Sequence, residues 1–107
     1  MNIDVYEAAV LSLTLRADYA AQVFSKIQPE DFSAELQPYA ITAYQLLQEN
    51  RAVDVLTVAE RMEAEGVENP GELLARIVEE SGKPSIENLD DYCGILSNRG
   101  MKRGLYA

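Results

Sequence analysis

The stretch Val53–Gly66, VDVLTVAERMEAEG, carries both of its own boundaries, and this constrains the chain more than any other feature. Asp54 is placed as an N-cap, where its carboxylate accepts from first-turn N–H groups and suits the positive end of the helix dipole. Thr57, three residues on, is a weaker partner than the Glu or Gln of a full capping box. Val55, Val58, Ala59 and Met62 recur at i, i+3, i+4 and i+7, which is one apolar stripe. Gly66 stands where a left-handed residue ends a helix. A short amphipathic helix with polar residues around most of its girth buries itself only against other elements. The spacing of apolar residues elsewhere says those elements are helices too.

From Leu36 the apolar residues fall at i, i+3, i+4, i+7, i+8 and i+11: Leu36, Tyr39, Ala40, Ala43, Tyr44 and Leu47. Pro38 lies in the first turn, where a missing N–H costs little. Asp4 and Glu7 form the capping-box pattern D-V-Y-E for a helix running to about Leu15. That helix is apolar on more than one face, so it is either central or covered by a partner. Asp18 is read as the cap of a helix bearing Ala21, Val23, Phe24 and Ile27, ended by Pro29. Pro29-Glu30-Asp31-Phe32 reads as a tight turn with Phe32 as its anchor and Glu30 and Asp31 in solvent. Asn69, Pro70 at N1 and Glu72 predict a boxed start for a helix buried through Leu73, Leu74, Ile77 and Val78. Ser85 caps a last helix with the stripe Ile86, Leu89, Tyr92 with Cys93, and Leu96. The expectation is an all-α fold, a compact bundle of about six helices in one domain of 107 residues.

The chain offers little for catalysis. It has no histidine, so the usual general base and commonest metal ligand are missing. Carboxylate pairs such as Glu79/Glu80 and Asp90/Asp91 are adjacent in sequence, and neighbours on a helix point about 100° apart. Gly66, Gly71, Gly82, Gly94, Gly100 and Gly104 fit neither the nucleoside-triphosphate nor the dinucleotide loop spacing. Cys93 is the single cysteine and reads as a small buried hydrophobe. No catalytic, cofactor-binding or metal residue is expected, and no cofactor.

Charge narrows the partners. Eighteen acidic residues against nine basic give a net charge of −9. That disfavours a strong nucleic-acid surface or an anionic membrane, since both need clustered Lys and Arg. The one basic cluster is Arg99, Lys102 and Arg103. Met1-Asn2-Ile3-Asp4 lacks a basic, then apolar, leader, and charges interrupt every apolar window, so a cytoplasmic protein is expected. What remains is a protein-binding surface. The surplus apolar positions of the first helix, Val10, Leu13 and Leu15, with Tyr92 and Leu96 of the last helix and the basic residues Arg99, Lys102 and Arg103, are the interface expected from sequence.

Several segments resemble a known family in order and spacing. They are Glu7-Ala8-Ala9-Val10-Leu11, then Pro29-Glu30-Asp31-Phe32, then Val53-Asp54 with Thr57-Val58-Ala59-Glu60 and Glu65-Gly66. Pro84-Ser85, Asn88-Leu89, Tyr92, Ile95 and Arg99 follow. Together these are similar to the N-terminal domain of bacterial and phage replicative DNA helicases of the DnaB type. The resemblance implies an all-helical head without ATPase activity. It implies that the head associates with itself in the collar of a hexameric ring and docks primase or a helicase loader. The helical hairpin that follows such a head and the ATPase motor C-terminal to it are expected to be absent from this chain. Two departures stand out. Ser33–Tyr39, SAELQPY, lacks the family's His-containing segment, and the last helix is expected to stop near Arg99–Arg103, where Gly100 weakens it. Two readings of function stay open: the assembly head of a replicative helicase, or a stand-alone acidic, phage-type regulator that binds helicase or primase.

Overall fold

The computed structural model describes residues 3–16 and 18–106, with side chains described as far as residue 98. Six α-helices and no strand occur among them: α1 (Val5–Thr14), α2 (Ala20–Phe24), α3 (Gln37–Gln48), α4 (Val55–Ala64), α5 (Pro70–Glu80) and α6 (Leu89–Tyr106). Single 3₁₀ turns at Pro29–Asp31 and Ile86–Asn88 precede α3 and α6. The Cα radius of gyration is 12.9 Å, close to the roughly 13 Å of a folded chain of about 100 residues.

The two ends of α4 are as its letters predict, with one difference. Asp54 Oδ1 accepts from the Thr57 N–H at 2.8 Å, and Thr57 Oγ1 accepts from the Asp54 N–H at 2.9 Å. Threonine therefore completes a reciprocal box that was expected to be partial. At the other end Gly66 has φ +93°. Its N–H reaches the Glu63 carbonyl at 3.0 Å, and the Val67 N–H reaches that of Met62 at 3.0 Å, the paired bonds of a Schellman ending. The end of α3 repeats the device with Asn50 at φ +58°, where a short polar side chain tolerates the left-handed region. Asn50 and Arg51 donate to Leu47 and Leu46 at 3.0 and 2.9 Å.

Three expected caps differ. Asp4 does cap α1, accepting from Tyr6 and Glu7 N–H groups at 2.9 and 3.1 Å. Glu7 turns inward: it is buried, and its Oε1 accepts from the Ser33 N–H. Asp18 does not cap α2; Tyr19 holds that position and makes no side-chain cap bond. Burial of Ala20, Val23 and Phe24 sets this short helix, with Ala21 exposed. Asn69 is the N-cap of α5, but it adopts φ 50°, ψ 47° and its side chain caps nothing. A capping side chain reaches the first-turn amides from extended backbone, so the predicted box with Glu72 is not made.

α1 lies at the centre. It packs against α2, α5 and α6, while α4 bridges α3 and α5, and the Pro29–Asp31 turn sits between α3 and α6. Every residue from Glu7 to Thr14 is buried. Phe32 is fully buried beside that turn, and Glu30 is exposed as expected, whereas Asp31 is half-buried and accepts from the Gln28 N–H at 2.9 Å. Leu74 and Ile77 bury α5, but Val78, expected on that face, is exposed. α6 continues through Gly100 and Gly104 to Tyr106, past the stop expected near Arg99–Arg103. Among its described side chains, Leu89, Cys93 and Leu96 are buried.

Candidate protein-interaction surface

The apolar surplus of α1 is consumed inside the chain. Val10 and Leu13 have no exposed surface and Leu15 has 5%. Leu96 of α6 has none. These four belong to one continuous core with Leu11, Leu74, Ile77 and Leu89. None of them presents surface to a partner, which corrects the sequence expectation. The reason is topological: α5 and α6 cover the faces of α1 that α2 leaves open, so an all-round apolar helix signalled a central position.

Tyr92 differs from those four. It is half-buried on α6, and its ring lies 6.5 Å from that of Tyr6 at 52° between planes. This tilted pairing is a favourable aromatic geometry. Tyr6 and its neighbour Val5 are exposed, at 37% and 53%. Asp4 fixes the start of α1 so that the first turn stands clear of the core while the next residue, Glu7, is already inside. Tyr6 at the start of α1 and Tyr92 in the first turn of α6 thus pair near the surface, and Val5 is exposed next to Tyr6 in the chain. Sequence reading named Tyr92 but missed Val5 and Tyr6. The available signal was their place in the first turn, ahead of the buried run. The side chains of Arg99, Lys102 and Arg103 lie outside the described residues.

On α6 next to Tyr92, Cys93 is buried, and that burial pushes its thiol up to about 11. The nearby Lys26 ammonium opposes the shift and Asp90 and Asp31 reinforce it. Lys26 Nζ is 2.5 Å from Asp90 Oδ1, tying the segment after α2 to the start of α6. The hydrogen bond from Lys26 to Asp90 raises the lysine above its ordinary value. A buried thiol held protonated is a packing group and a poor nucleophile. Among the described residues, no group of three or more His, Cys, Asp or Glu side chains is placed to hold a metal ion. Nor is any helix of the described residues long and apolar enough to cross a membrane.

A second surface feature is an open groove of about 790 Å³ between the end of α3 and α4, lined in part by Gln45, Leu46, Arg51, Thr57 and Arg61. Arg61 forms a two-pronged pair with Glu49, Nη1–Oε2 2.6 Å and Nη2–Oε1 2.7 Å. Those hydrogen bonds hold the Glu49 carboxyl below its ordinary value. Leu56, at the start of α4, is 80% exposed.

The model of the DnaB-like helicase N-terminal domain family matches residues 2–98. The chain belongs to that family. Among solved structures, this DnaB-like domain is similar to the N-terminal domain of DnaB helicase from Mycobacterium tuberculosis. The TM-score is 0.83 at 22% identity, over 95% of this chain and 75% of that one. At this identity the likeness speaks for the shared helical fold. No curated protein matches the chain. The family match ends at residue 98, so the basic positions Arg99, Lys102 and Arg103 of the DnaB-like domain lie beyond it. The divergent Ser33–Tyr39 segment lies within it. There the Ser33 N–H holds Glu7, and Gln37 Nε2 donates to the Phe32 carbonyl at 2.9 Å.

Proposed function

We propose that this DnaB-like domain acts as a non-catalytic assembly head in DNA replication. It associates with itself in the collar of a helicase ring and docks primase or a helicase loader, in the cytoplasm and without strong DNA binding of its own. ATP-driven unwinding belongs to the motor of a parent helicase. The observation that carries this reading is the pairing of Tyr6 with Tyr92 together with the exposure of Val5 and Tyr6, apolar and aromatic side chains outside a core that has enclosed the rest of α1. Tyrosine suits such a role because its ring buries apolar area while its hydroxyl finds a polar partner.

The test is sedimentation of the chain over a wide concentration range, followed by titration with the C-terminal domain of primase and with the loader. Concentration-dependent mass and saturable binding are expected. Substituting Val5→Ser and Tyr6→Ser together is expected to weaken association at least tenfold while the circular dichroism stays that of the parent chain. A monomer at every concentration that also ignores both proteins overturns the proposal.

A further inference from the structure

We draw no further inference here: the strongest candidate, the open groove between the end of α3 and α4, is lined by side chains of both charges, Arg61 among them already paired with Glu49, and nothing in the structure shows what covers it.

Discussion

The buried carboxylate of Glu7 on α1 accepts from the backbone N–H of Ser33, twenty-six positions along the chain. This one contact fastens the turn after Pro29 to the central helix. Phe32, next to the bonded amide, is fully buried. Glu7→Ala leaves that part-buried amide without its acceptor, and since a fully buried unsatisfied donor costs about 1–3 kcal/mol, a loss of about 1 kcal/mol is expected. Glu7→Gln keeps an oxygen in place, so a smaller loss is expected. Urea unfolding of the two variants checks this; equal stability of Glu7→Ala and the parent chain contradicts it.

Leu13 separates a core role from an interface role. It has no exposed surface, and Leu→Ala in a packed core costs about 2–5 kcal/mol. For a domain of this size that lowers Tm by roughly 10 °C or more. A Leu13→Ala chain that melts like the parent but fails to associate instead places Leu13 at a contact between chains.

The boundaries of α4 give two independent losses. Asp54→Ala removes a side-chain cap, at about 1 kcal/mol. Gly66→Ala has open space around the new methyl group, yet φ +93° is strained for any residue with a Cβ, at about 1–2 kcal/mol. The two sites lie a full helix length apart, so the double variant is expected to lose the sum within about 0.5 kcal/mol. Thermal melts of the three variants measure it, and a double variant no worse than Gly66→Ala refutes the independence.

Cys93 gives stability a pH dependence with a definite sign. Its folded-state value, about 11, lies above the ordinary 9.0. The folded chain therefore holds the thiol proton more tightly than the unfolded chain. The contribution is intact below about pH 9 and declines as pH rises toward about 11. Cys93→Ala removes this dependence while opening a small cavity. Alkylation by iodoacetamide at pH 8 is expected to be slow in the folded chain and to reach the rate of a free thiol in denaturant. Equally fast labelling with and without denaturant shows that the thiol is not held as described.

Local signals in the letters carried much of this fold. Asp54, Gly66, Pro70 and Phe32 sit in the roles their types favour, because each role depends on neighbours within a few positions. Glu7 shows where such reasoning stops. The pattern D-V-Y-E suits a capping box, but whether its glutamate turns back to Asp4 or inward depends on a turn twenty-six positions away. The same holds for α1 as a whole. Its letters allow a central helix or a partner-covered one, and only α5 and α6, distant in sequence, decide. The expected interface suffered most, since Val10, Leu13, Leu15 and Leu96 are apolar in the same way whether they meet another chain or their own. Ala21 and Val78 fell outside the core for the reverse reason: an apolar residue at the margin of a stripe has no local sign of its exposure.

The central place of α1 also sets an order of events at the ribosome. This helix leaves the exit tunnel before the other five helices of the domain, yet it packs against α5 and α6, the last two of them. At about 5–20 residues per second, its apolar flanks wait several seconds for their cover. Closing such distant contacts is also intrinsically slower than forming neighbouring helices. During that interval α1 is a sticky nascent segment for chaperones to shield, and a stall before α6 has emerged leaves a chain that cannot complete its core.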